Sequence, residues 1–112
     1  MSFYLVSAKP IESHAAVLLG QLRDGSFAAG AVYQGEIQRA LSKARLGADG
    51  RARWSETCHC ASPLKAERTH LDQFFIDIRT EQVADEPDLA GEPLLDALER
   101  LAQAHRPSAR LD

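Results

Sequence analysis

Residues 52–60, ARWSETCHC, set the tightest limit on what this chain can fold into. In an extended strand Ala52, Trp54, Cys58 and Cys60 lie on one side, and Arg53, Ser55, Thr57 and His59 on the other. Glu56 is the one charged residue on the apolar side. Asp49-Gly50, just before, is a strong hairpin-turn signal. Ser62-Pro63, just after, reads as a helix cap followed by proline at the first helical position. Leu64, Leu71 and Phe74 or Phe75 give that helix an apolar side. Ile76 to Val83 then reads as a strand. Ile76 and Ile78 share a face while Val83 falls on the other, so the strand is expected to end or bulge before Val83. This strand–helix–strand unit holds the only Trp, both Cys and two of the four His.

The flanking segments extend the pattern. Phe3-Tyr4-Leu5-Val6 is aromatic and β-branched and stops near Pro10, as a first strand would. Ile11, Ala15, Leu18 and Leu22 follow at helical spacing, with Leu19 widening the stripe, Ser13 as an early cap and Asp24-Gly25 as the stop. His14 falls on the buried side of this helix by the same spacing. Residues 25–35 carry three glycines and no charge, and read as loop. The segment after them admits two readings. Tyr33, Ile37, Ala40, Leu41 and Ala44 fit a helix, and QRALSKAR has high helix propensity. Yet no capping residue precedes it, and it leads into Asp49-Gly50. The expectation adopted is a hairpin pairing 36–45 with 51–60. An acidic linker, 85–91, leads to a last helix over 92–106, opened by Glu92-Pro93 and closed by Pro107. Leu94, Leu95, Leu98, Leu101 and Ala102 share one face of it.

The resulting order is strand, helix, strand, strand, helix, strand, with an added C-terminal helix. This is the α+β class, a ferredoxin-like βαββαβ sandwich in a single domain spanning 1–112, with its core in 3–83. Both sheet helices would pack on one face. The other face would need a cover, either the last helix or a second copy, so a homodimer is expected.

Composition narrows the partners. The formal charge of −3 gives no reason to expect nucleic acid. Apolar runs are too short to span a membrane, no basic region followed by an apolar core opens the chain, and Cys58 and Cys60 are too close to staple distant segments. A cytoplasmic location is therefore expected. Abundant alanine, and arginine well in excess of lysine, suggest a bacterial coding bias. Charge is uneven: residues 39–53 hold five bases and one acid, residues 81–99 seven acids and no base. The two segments are either separate solvated faces or mutually attracting surfaces.

Few residues carry a chemical signature. Cys58-His59-Cys60 suggests a metal or thiol site. In a strand, however, His59 points away from the two thiols, which share the Trp54 side as small core residues would. His14 is either a packed histidine or a general base. Asp72 has Arg68 one turn earlier as an ordinary partner. His70 and His105 read as solvent-facing, Tyr4 and Tyr33 as half-buried packing residues. No cofactor or metal is expected.

Phe3-Tyr4-Leu5-Val6, His14 at the head of a helix, Leu22-Arg23-Asp24-Gly25-Ser26-Phe27 with Ala29-Gly30, and Leu71-Asp72-Gln73-Phe74 together resemble the YCII-related domain over about residues 3–83. That family belongs to the dimeric α/β-barrel group of ferredoxin-like proteins. Gln73 stands where the family has proline, and the 36–50 segment is longer and more basic. The resemblance implies that His14 and Asp72 are the paired polar residues of a small-molecule pocket, with His14 as base and Asp72 orienting it. It implies acid–base or elimination chemistry. The alternatives are a non-catalytic dimeric binding module of the same fold, or a metal or thiol protein acting through Cys58 and Cys60. Whether the chain is an enzyme is left open by its residues.

Overall fold

The computed structural model describes residues 2–31, 33–58 and 68–104, without the side chains of Ser2 and Cys58. The protein is α+β, with one five-stranded antiparallel sheet and four helices. β1 (Ser2–Pro10) is followed by a single 3-10 turn (Glu12–His14) and α1 (Ala15–Asp24). Then come α2 (Gln34–Ser42), β2 (Arg45–Leu46), β3 (Ala52–Cys58), α3 (Arg68–Leu71), β4 (Phe75–Val83), β5 (Glu92–Pro93) and α4 (Leu94–Ala104). The strand order is β4-β1-β3-β2-β5. The first four strands are compatible with a ferredoxin-like sheet, and β5 is added beside β2.

The expected hairpin of 36–45 with 51–60 is corrected. Residues 34–42 are helical, and only Arg45 and Leu46 pair with Arg53 and Ala52. Intrinsic propensity and the Ile37/Leu41 spacing outweigh the turn signal, because both side chains are fully buried. The missing cap is real: Tyr33 makes no side-chain cap bond. The compensation is tertiary. Gln34 and Gln38 each donate an amide N–H to the Gly25 carbonyl, at 2.8 and 2.7 Å. Gly25 ends α1 in the left-handed region, at φ 81°, where glycine carries no Cβ penalty. The Asp49-Gly50 turn survives as the tip of a much shorter hairpin.

Smaller departures have equally local causes. The first helical stripe begins as a 3-10 turn, so Ile11 and Ser13 precede α1, and no side chain caps either segment. The bulge in β4 sits at Asp77 (φ 53°), opposite the Ser7–Lys9 step, and the strand runs on to Val83. Glu92-Pro93 pairs with β2 before the last helix starts at Leu94. The expected helix start at Ser62-Pro63, Leu64, His59, Cys60, His105 and Pro107 lie outside the described residues, as does the Cys58 side chain.

One sheet face carries the core. Val6, Ala8, Ala52 and Trp54 are fully buried there under Leu18, Leu19 and Leu22 of α1 and Leu94 and Leu98 of α4. Burying each such leucine contributes about 1.5–3 kcal/mol. α4 packs chiefly on α1, so it joins the existing helix layer instead of covering the opposite face. That opposite face is a mosaic set by register. Val83, Phe3 and Thr57 form one cross-strand row, and Glu81, Leu5 and Ser55 the next. Arg79, Ser7, Arg53 and Arg45 form the third. The apolar side chains of this face among the described residues are Val83, Phe3 and Leu5, with Ile76 opposite Lys9 and Pro93 opposite Arg45.

Candidate functional site

His14 does not lie on a buried stripe, as helical spacing suggested. It ends the 3-10 turn and is exposed. Its ring Nδ1 is 2.8 Å from the Gln73 carbonyl oxygen. A carbonyl only accepts, so Nδ1 donates this bond, and in the neutral ring Nε2 is then the acceptor. The Ile11 N–H bonds the next carbonyl, Phe74, at 2.8 Å. The turn after β1 is thus stitched to the segment that enters β4. Asp72 is next to Gln73 in sequence, but its carboxylate takes Arg68 Nε at 3.1 Å, within one helical turn. The chain therefore brings His14 to the backbone beside Asp72. The orienting bond comes from Gln73, and no hydrogen bond joins the His14 and Asp72 side chains among the described residues. Tyr4 and Tyr33 are half-buried. His70 is half-buried too, with its ring edge-on to Phe27 and Tyr33 at 6.2 and 6.0 Å, which corrects the solvent-facing expectation.

A cleft of about 580 Å³ opens at the hairpin end of the sheet. The 47–50 turn, the end of β1, the start of β4 and the flank of α4 enclose it, with Lys9, Glu12, Asp49, Ile76, Glu92 and Arg100 at its wall. Its charges are largely internally balanced. Arg100 pairs with Glu92, and both Arg53 Nη groups reach Asp49, at 3.1 and 2.6 Å. These bonds, with a further one from the Arg51 N–H, hold the Asp49 carboxyl well below the usual carboxylate range. Ile76 is 55% exposed and supplies an apolar wall.

Beside this cleft lies an arginine clamp. The Arg51 side chain is only 10% exposed. Its guanidinium donates to Ser7 Oγ (3.0 and 3.3 Å) and the Ser7 carbonyl (3.0 Å). It also donates to the Asp77 carboxylate (2.8 Å) and the Asp77 carbonyl (2.7 Å). Arg79 reaches the same carboxylate at 3.1 Å. The Arg51 bond, helped by Arg79, keeps the Asp77 carboxyl low. A planar fork of donors suits this convergence on two backbone carbonyls and a carboxylate. The clamp locks the bulge of β4 to β1 and β3.

A smaller groove, about 270 Å³, runs between α2 and β3 and is lined in part by Glu36, Arg39, Lys43, Glu56 and Thr57. β2 is too short to pair β3 beyond Arg53, so α2 flanks the free edge. There the Thr57 hydroxyl donates to Glu36 at 3.1 Å. Glu56 is buried and accepts the Trp54 indole N–H at 2.7 Å. The break in alternation at Glu56 was the one sequence signal for this buried carboxylate. The Arg51 clamp had no comparable signal. Among the described residues, no three His, Cys, Asp or Glu side chains converge as a metal site would require, and no helix is long and apolar enough to cross a membrane. No family model, curated protein or solved structure matches the chain.

Proposed function

We propose that this chain is a small-molecule-binding α+β domain whose ligand occupies the cleft at the hairpin end of the sheet. One observation carries the reading. The cleft's volume of about 580 Å³ lies in the range of roughly 300–1,000 Å³ usual for ligand pockets. Lys9 and the Arg100–Glu92 ion pair bring charge to its wall and Ile76 an apolar surface, which suits a small polar ligand. Binding without turnover is favoured over acid–base catalysis, because the carboxylate expected to serve His14 is engaged by Arg68. Thermal melting across a metabolite panel tests this. A binder should raise the melting temperature of the wild type and of His14→Ala alike, and its shift should shrink in Arg100→Ala. A shift lost in His14→Ala and kept in Arg100→Ala would refute it.

A second reading rests on the His14 geometry. An imidazole whose Nδ1–H is held at 2.8 Å by a carbonyl presents Nε2 outward as a base. It corresponds to the acid–base site of a YCII-like domain, with Gln73 in the orienting role expected of Asp72 and a cytoplasmic homodimer as its setting. Sedimentation of the free protein tests the dimer: a monomer at high micromolar concentration removes it.

A further inference from the structure

The third row of the open sheet face places Arg79, Ser7, Arg53 and Arg45 side by side on four adjacent strands. Arg45 and Arg53 are direct cross-strand partners. Like charges in that relation are destabilising. Lys9 extends the same face of β1 beyond Ser7, and Arg51 lies beneath the row. Five cations therefore gather around two carboxylates, Asp49 and Asp77, in a chain whose formal net charge is −3. The carboxylates do not exhaust the donors. Among the described residues Arg45 gives a single bond, 3.1 Å to the Gly91 carbonyl. Arg53 uses its two Nη groups on Asp49, and Arg79 reaches the two Asp77 carboxylate oxygens through Nε (3.3 Å) and one Nη (3.1 Å) while staying 69% exposed. Arg51, by contrast, is fully engaged and nearly buried, so it fixes the floor on which the others stand.

We propose that this row is a binding surface for a small polyanion carrying phosphate or carboxylate groups. Such an anion relieves the Arg45–Arg53 repulsion and takes charge-assisted bonds from Arg45 and from the N–H groups that Asp49 and Asp77 leave over. Neighbouring strands are about 4.8 Å apart, so the Arg45/Arg53 pair and Arg79 are separated by a span on the order of 10 Å, bridged by Ser7. That spacing suits a molecule with two anionic ends. A nucleic-acid strand fits less well. The row is one residue deep, Glu81 stands in the next row, and the acidic chain repels an extended phosphate backbone.

The test is an amide chemical-shift titration at low ionic strength with pyrophosphate and with citrate, which separate the phosphate source from the carboxylate source. Saturable shifts are expected at Ser7, Arg45, Arg53 and Arg79, with either probe. Arg45→Ala and Arg79→Gln, both at exposed or half-exposed positions, should each weaken the dissociation constant by about tenfold, the loss of one charge-assisted contact. Arg100→Ala removes a cation of the neighbouring cleft only and should leave binding unchanged. The proposal is overturned if neither anion shifts the row, if both row variants bind as the wild type does, or if Arg100→Ala weakens binding as much as they do. Tighter binding of a single-stranded oligonucleotide than of pyrophosphate would overturn it in favour of nucleic acid. A dimer dissociated by Arg45→Ala would overturn it in favour of a second copy.

Discussion

Arg51 shows how one side chain can set the register of three strands. Its donors reach Ser7, 44 positions away in sequence, and Asp77, 26 away, so nothing local marks it. In the sequence it is one more base in a basic segment. The candidate site was legible only in part for the same reason. His14 could be singled out by its type and its place at a helix head. The carbonyl that holds it belongs to Gln73, and a backbone acceptor leaves no trace in side-chain pattern. Arg51→Ala removes the clamp, leaves two part-buried carbonyls without that donor, and unlocks the bulge. A loss of roughly 2 kcal/mol is expected from hydrogen bonds to a charged group, read as a lower urea midpoint with an unchanged slope. Arg51→Lys should recover less than half, because an ammonium cannot span both carbonyls and the carboxylate. An unchanged midpoint in Arg51→Ala would mean that the bulge is held by its backbone alone.

At the scale of elements, periodicity identified what periodicity can identify. β1, α1, β3, β4 and α4 stand within a few residues of their expected places, because each buries one face of a regular pattern. At 34–42 a local turn signal competes with a helix whose stability is mostly tertiary. Its Gln34 and Gln38 amides are spent on Gly25, and no window of sequence reveals that partner. β5 was missed because a two-residue strand has no period. It nevertheless positions α4: the Leu94 N–H bonds the Ala44 carbonyl at 2.8 Å. Gly91 makes this approach possible. A Cβ there would sit 2.2 Å from the Leu46 carbonyl oxygen, and its φ of 118° disfavours any side chain. Gly91→Ala should therefore detach β5 and loosen α4. The expected cost is about 1–3 kcal/mol, with amide exchange accelerating first at Leu46 and Leu94. If those amides stay protected, α4 is held by its leucines and β5 is incidental.

For the whole molecule, acid is the informative perturbation. Asp24, Asp49 and Asp77 all have carboxyl groups held below the usual range, by Ser26, by Arg53 and by Arg51 respectively. A depressed folded-state value means that the unfolded chain takes up protons first as pH falls. The stabilisation is thus complete above the ordinary aspartate value of about 3.9 and is lost on further acidification. The melting temperature should be nearly level from pH 7 to about 5 and decline below about 4. The double variant Asp49→Asn, Asp77→Asn should be less stable at neutral pH and show a shallower acid limb. An acid limb as steep as that of the wild type would assign the loss to other carboxylates. The same experiment can be followed with light. The chain's single tryptophan is fully buried, lies 5.2 Å from the Phe75 ring centre, and gives its indole N–H to the Glu56 carboxylate. Its emission in the native state should be short in wavelength and should shift to the red as water reaches it. Because one indole sits where β3 meets the helix layer, intrinsic fluorescence reports the opening of that core directly, with no label and no second chromophore of its kind to confound it.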